Sequence, residues 1–143
     1  MEKLHNLLNK QVANLAVFFT KLHHYHWFVT GKGFFTLHEK FEELYDEINE
    51  LYDEFAERLL AIKGKPASTM KDYLRLTSLG ESNEMDANLM VKEVINDLKL
   101  LVIELKELTV LSQDLEDEQT ADMAISTVTS FEKHLWMFEA FLD

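Results

Sequence analysis

Residues 34–63 read FFTLHEKFEELYDEINELYDEFAERLLAIK, a stretch without Gly or Pro. Its apolar positions follow a period close to 3.6 residues, which predicts one long amphipathic helix with an apolar stripe facing a core. Gly64 and Pro66 come directly after it and predict that the helix ends there. The stripe consists of Leu37, Phe41, Leu44, Ile48, Leu51, Phe55, Leu59 and Ile62.

Three other stretches show the same helical periodicity. The first covers about residues 3–29 and ends at the turn of residues 30–33. Another begins near Asp86, a candidate N-cap, and continues to about residue 112, and the last runs from near Asp117 to the end. The side chains predicted to face inward from these three are Leu4, Leu8, Leu15, Phe19, Leu22, Val91, Val94, Leu98, Leu101, Leu105, Leu108, Ala121, Ile125, Val128, Phe131, Leu135, Phe138 and Leu142.

The lengths of the connections predict the topology. Short connections make the first and second helices antiparallel, and likewise the third and fourth. The middle connection, residues 64–85, is longer and is expected to contain a short extra helix over residues 68–76. The fold class is therefore all-α: a single domain over residues 1–143, built as an antiparallel ferritin-like four-helix bundle.

Composition narrows the classes of function. The formal net charge is −12, and the 14 Lys and Arg residues form no basic patch or tail, which argues against a nucleic-acid-binding surface. The chain has no Cys, so thiolate chemistry and cysteine-ligated zinc are excluded. Neither a signal peptide nor a membrane-spanning stretch is recognisable, so a cytoplasmic location without membrane contact is expected.

Four potential metal ligands lie on the second helix, on a face turned away from its own core. With His38 at zero and 100° per residue, Glu42, Asp53 and Glu57 lie at about +40°, +60° and +100°, whereas the core stripe clusters near about −100°. His38 with Glu42, and Asp53 with Glu57, are i, i+4 pairs that can each converge on one ion. The two pairs are about 22 Å apart along the helix, so one helix cannot bring both to one ion.

A second copy of the chain, packed antiparallel about a two-fold axis, would solve this problem. It would set His38 and Glu42 of one chain opposite Asp53 and Glu57 of the partner subunit, and symmetry would make two such sites. The alternative interpretation is that these charges are simply solvated on an outer helix face, which is the common case. His26 continues the apolar stripe of the first helix and is open to two interpretations as well: a core residue or a further ligand.

The sequence resembles the Dps family, the mini-ferritins. The resemblance rests on His26-Trp27 within a YHW triplet, on a second histidine twelve residues later in the segment 35–41, and on D-x-x-A-E-R at 53–58 followed by G-K-P. Residues 133–137, KHLWM, are also similar to the last helix of the family. Together these motifs extend the resemblance over nearly the whole chain.

The resemblance implies a function. The expected protein is a shell of twelve subunits, a dodecamer assembled from two-fold dimers, that oxidises Fe(II) with a preference for hydrogen peroxide and stores the ferric mineral, so that iron is its metal and ferroxidase its activity. His26, His38 and Glu42 of one chain would bind iron with Asp53 and Glu57 of the partner subunit. Family members more often have Asp at the position of Glu42, which leaves direct ligation by Glu42 open. Trp27 is a candidate acceptor of stray oxidising equivalents or a packing residue.

Two further expectations concern ion entry and DNA. Acidic pores would admit iron, and the candidates are Asp114, Glu116, Asp117 and Asp122, although an acidic cluster is also ordinary at a helix start. Family members that bind DNA often use a Lys-rich tail, which this sequence does not show, so direct DNA binding is not expected. The competing hypothesis is a non-enzymatic oligomer that compacts DNA or only binds metal.

Overall fold

Five α-helices and no strand make up the computed structural model, which describes all residues from 1 to 143. The bounds are α1 Glu2–Phe28, α2 Phe34–Ala61, α3 Met70–Leu76, α4 Ala87–Asp114 and α5 Glu118–Leu142. The four long helices and the short extra helix in the middle connection confirm the predicted all-α ferritin-like bundle. None of the helices is both long and apolar enough to cross a bilayer.

The helix ends follow the predicted capping chemistry. Asp86 caps α4 by accepting the Leu89 N–H, and Asp117 caps α5 by accepting the Thr120 N–H. The short α3 begins later than predicted because Thr69 is its N-cap and accepts the Asp72 N–H. At the end of α2, Lys63 adopts the left-handed conformation with φ 71°.

Gly64 is required at that turn for a steric reason. A Cβ at residue 64 would lie 2.3 Å from the Cδ1 of Leu59, and the Gly64 N–H bonds to the Leu59 carbonyl at 2.8 Å. The chain therefore reverses tightly against its own helix, as the Gly64 signal predicted.

The core lies between two antiparallel pairs, α1 with α2 and α4 with α5. Among the predicted inward positions Ile125 is wrong, and Phe19, Leu51, Ile62 and Leu142 are only partly buried at the border of the core. Ile125 is 45% exposed, and the buried positions beside it are Ala124 and Thr127. On α1, Phe18 is the fully buried ring and Phe19 is only partly buried, because Phe19 packs edge-on against Tyr45 at the border of the core.

The middle connection is tied to α1 by a buried amide. Asn14 accepts the Thr77 hydroxyl and the Ser78 N–H with its side-chain oxygen, both at 2.8 Å. Its amide nitrogen donates to Glu104 of α4 at 2.9 Å. A single buried side chain thus joins α1, α4 and the connection. Tyr73 of α3 contacts Tyr52 of α2, while Glu42, Asp53 and Glu57 on the outer face of α2 stay exposed.

Candidate metal centre

His26 and His38 meet where α1 turns into α2. The turn between the helices has Gly31 at φ 100°, a conformation that glycine adopts without strain. It brings the two imidazole rings into a stack with centroids 3.7 Å apart. The Nδ1 of His26 lies 2.7 Å from the His38 carbonyl oxygen, and the Nδ1 of His38 lies 2.7 Å from the His26 carbonyl oxygen.

These reciprocal hydrogen bonds determine the tautomer of both rings. A carbonyl oxygen only accepts, so each Nδ1 must carry the proton and donate it. In the neutral ring the other nitrogen, Nε2, then has a free lone pair, which is the form of imidazole that binds a metal. The backbone of each histidine thereby orients the other as a ligand.

Glu42 lies beside this pair, one helical turn after His38. Its Oε1 is 3.7 Å from the Nε2 of His26. Two acceptor atoms at this separation suit a shared cation, because metal–nitrogen and metal–oxygen bonds of roughly 2.0–2.2 Å span such a gap. The hydroxyl of Tyr45 donates to the same Oε1 at 3.4 Å, and half of the Glu42 side chain remains exposed.

Asp53 and Glu57 lie apart from this group, near the other end of α2, and both are exposed. Within one chain the structure holds no cluster of three or more His, Cys, Asp or Glu side chains placed to hold a metal ion. His26 thus stacks on His38 and lies near Glu42, but these three side chains are not placed to hold a metal ion by themselves, and Asp53 and Glu57 lie elsewhere on α2. The assignment of those two carboxylates to a partner subunit stays a prediction.

Trp27 is 67% exposed and contacts His23, whose ring centroid is 5.3 Å away. His23 in turn stacks on Tyr45 at 3.9 Å. Trp27 is thus connected to His26 only through the rings of His23 and Tyr45, and Tyr45 lies edge-on to His26 at 5.3 Å. This geometry leaves its role as an acceptor of oxidising equivalents a prediction.

The four acidic candidates for an entry pore differ in their surroundings. Asp114, Glu116 and Asp122 are exposed, but Asp117 forms an ion pair with Arg58 at 2.8 Å. Burial alone would raise the pKa of Asp117, yet the hydrogen bonds from Thr120 and the Arg58 guanidinium lower it below its usual range. Asp117 is therefore held as the α5 cap, and its pore assignment, like that of the other three, remains a prediction.

A polar chain between α2 and α5 was not foreseen from the sequence. Lys40 donates to the Nδ1 of His134 at 3.0 Å, so the Nε2–H of His134 faces Glu47 at 3.3 Å. Ser130 also donates to Glu47, at 2.8 Å. Burial alone would raise the pKa of Glu47, but the bonds from His134 and Ser130 and the charge of Lys40 lower it. The only signal of this polar chain in the sequence is the i, i+4 spacing of Ser130 and His134, which places both side chains on one face of α5.

Comparison with known proteins shows the class of protein to which the chain belongs. Residues 5–143 match the family model described as a ferritin-like domain, so the chain is a ferritin-like protein. A Bacillus anthracis protein named DNA protection during starvation protein 2 is 49% identical over 138 residues, which cover 96% of this chain and 94% of that one. General stress protein 20U of Bacillus subtilis is also 49% identical, over 99% of this chain and 98% of its own length.

A solved structure narrows the class to a family. The crystal structure of a Dps protein from Bacillus brevis superimposes with a TM-score of 0.97 at 46% identity, covering 99% of this chain and 96% of that one. The chain belongs to the Dps family.

Proposed function

We propose that the protein oxidises Fe(II) at sites shared between two subunits and stores the ferric product as a mineral inside a dodecameric shell. Each site takes His26, His38 and Glu42 from one chain and Asp53 and Glu57 from the partner subunit. The oxidant is hydrogen peroxide in preference to oxygen, and the outcome is protection of the cytoplasm against oxidative damage.

The observation that carries the proposal is the fixed tautomer of two stacked histidines beside a carboxylate. The free Nε2 of His26 and the Oε1 of Glu42, 3.7 Å apart, would supply two of the donor atoms of the proposed site. Imidazole and carboxylate together suit iron, and a mixed set with open positions lets Fe(II) enter, react and leave as substrate.

Chemistry at such a site explains the protective role. Two Fe(II) ions supply the two electrons that reduce one peroxide molecule to the level of water. When both electrons arrive together, no hydroxyl radical is released. Asp114, Glu116, Asp117 and Asp122 are the proposed entry residues, although Asp117 also caps α5 through the Thr120 N–H and pairs with Arg58.

Protection of DNA then needs no direct contact with it. The net charge of −12 opposes binding to phosphates, and removal of iron and peroxide protects nucleic acid at a distance. A mobility shift with plasmid at low salt would instead favour the DNA-compacting alternative.

One assay tests the ferroxidase proposal. The protein is loaded anaerobically with Fe(II), peroxide is added, and ferric absorbance is followed in wild type and in Asp53→Ala. We expect Asp53→Ala to oxidise iron at least roughly tenfold more slowly, since loss of a ligand or of its support commonly costs 10–100-fold. Glu54→Ala is the matched control, because it removes the neighbouring exposed carboxylate and should keep the wild-type rate. Equal rates in wild type and Asp53→Ala would refute the shared site.

A further inference from the structure

Two large apolar side chains lie exposed on the same face of α2 as the metal ligands. Phe35 is 82% exposed and Leu60 is 56% exposed. On the angular scale that sets His38 to zero, they lie at about +60° and +40°, within the range of the ligands. A single exposed apolar side chain is ordinary on a protein surface, so what distinguishes Phe35 and Leu60 is where they lie along α2.

Phe35 and Leu60 are placed symmetrically about the same point of α2 as the proposed metal ligands. The midpoint between His38 and Glu57 falls between residues 47 and 48, and the midpoint between Glu42 and Asp53 falls at the same place. Phe35 and Leu60 have this midpoint too. A two-fold axis that pairs ligands across the interface therefore also sets Phe35 of one chain opposite Leu60 of the partner subunit.

We infer that Phe35 packs against Leu60 of the partner subunit and that the two symmetric contacts fix the register of the antiparallel α2 helices. The inference rests on the intersubunit arrangement proposed above and assigns it two anchoring residues that are not ligands. Each contact lies three residues beyond the His38–Glu57 pair, or roughly 4.5 Å along the helix.

Only one register of the two α2 helices gives this contact. If the partner slid by one turn, four residues in either direction, Phe35 would face Ala56 or Gly64 rather than a large apolar side chain. Only the register that pairs the ligands also buries Phe35 against Leu60. Burial of both groups would favour this register over its neighbours, because apolar surface removed from water is stabilising in proportion to its area.

Thiol cross-linking tests the contact without iron. The natural chain contains no cysteine, so introduced thiols are the only reactive ones. Residues 35 and 60 of one helix are about 37 Å apart, out of reach of a reagent that spans the roughly 8–10 Å between packed helices. The Phe35→Cys/Leu60→Cys chain should therefore shift from monomer to dimer mass on a denaturing gel. Phe35→Cys and Leu60→Cys alone should remain monomeric.

A positive control reports the two-fold axis itself. Asn49 is exposed near the midpoint of α2. Its two copies would be only about 4.5 Å apart along the direction of the paired helices, so Asn49→Cys alone should cross-link. If Asn49→Cys cross-links and the 35/60 pair does not, the anchoring contact is wrong while the shared site stands. If neither cross-links, the antiparallel α2 interface is wrong, and the shared site fails with it. If both cross-link but Asp53→Ala keeps full activity, the contact stands and the ferroxidase proposal fails.

A charge exchange tests the anchoring role. Leu60→Asp should break the two-fold contact, so that gel filtration shows loss of the assembled shell and Fe(II) oxidation is lost, while circular dichroism keeps its helical signal because residue 60 is exposed in the single chain. Adding Phe35→Lys places opposite charges across the contact and should restore the assembled shell. The control is Phe35→Lys combined with Met70→Asp, which should not restore the assembly. Met70 lies on α3 with its side chain 74% exposed. Equal recovery in both double variants would overturn the pairing.

Discussion

The imidazole of His26 donates to the backbone of His38, and the imidazole of His38 donates to the backbone of His26, each at 2.7 Å. The two potential ligands are thus oriented by main chain alone. No carboxylate is needed behind them, and the free Nε2 atoms are set before any metal arrives.

Nitrogen NMR of the metal-free protein should show this directly. When the imidazoles are neutral, His26 and His38 should both be Nδ1–H tautomers. His134 is the internal control with the opposite tautomer, because Lys40 donates to its Nδ1. A protonated Nε2 on His26 or His38 would contradict the orientation described for the centre.

Mixed dimers should reveal which ligands act across the interface. His38→Ala and Asp53→Ala chains are each expected to be inactive as pure oligomers. In a dimer of one of each, one site carries both changes and the other carries neither. Co-refolding the two variants should therefore recover Fe(II) oxidation, up to half of the wild-type rate per mixed dimer. Failure to recover any rate above the two pure variants would mean that His38 and Asp53 do not act together across a two-fold interface.

The ion pair between Arg58 and Asp117 should make stability depend on pH. Since the pKa of Asp117 is lowered in the folded chain, its carboxylate stabilises the fold above the usual Asp value near 3.9. That stabilisation is lost as the pH falls through the lower folded value. Asp117→Ala should cost about 0.5–2 kcal/mol at pH 7, the range for an N-cap, and the difference should vanish in strong acid. Asp117→Asn, compared by urea unfolding with Asp86→Asn at the exposed α4 cap, isolates the part due to Arg58.

The contribution of the buried ion pair between Lys21 and Asp97 to stability should change with pH in the opposite direction. The two groups are 2.5 Å apart with side chains only 7% and 13% exposed. Burial raises the pKa of Asp97 despite the Lys21 contact. Lys21→Met would leave an unpaired buried charge and should cost about 3–5 kcal/mol in urea unfolding at pH 7.

The double variant and acid pH are the controls for that loss. Lys21→Met/Asp97→Leu should recover most of the stability, because apolar side chains of similar volume often replace a buried pair without penalty. A raised folded pKa means that protonation favours the fold as the pH drops toward that value, so the cost of Lys21→Met should shrink there. A double variant no more stable than the single one would mean that Asp97 is not the source of the loss.

The sequence predicted the helices well because their signals are local. Apolar periodicity, Asp86 and Asp117 as caps, and Gly64 at the end of α2 act within a few residues of where they stand. The errors occurred where a stripe is broad: Phe18 rather than Phe19 fills the core, and Ile125 lies at the edge of its stripe and points outward. Apolar periodicity predicts the average direction in which a helix faces the core. It does not predict which residues lie at the edge of the buried face.

The relative positions of the candidate ligands within one chain were predictable only in part. Spacing placed Glu42 one turn from His38, and the structure brings His26 to them. The exchange of hydrogen bonds between the histidines was not predictable, since it depends on the path of the turn at residues 29–33. The contacts of Asn14 with Thr77 and of Lys40 with His134 link residues more than sixty positions apart, which no local pattern encodes.

The distance of about 22 Å between the two ligand pairs on α2 has a kinetic consequence. On the proposed arrangement, a newly made chain carries both halves of a catalyst and no complete one. At concentrations where pairs are rare, the number of working centres would rise with the square of the amount of protein rather than in proportion to it. Oxidation of iron would then start sharply as synthesis proceeds, and the ions would meet a working centre only where assembly of a container has already begun.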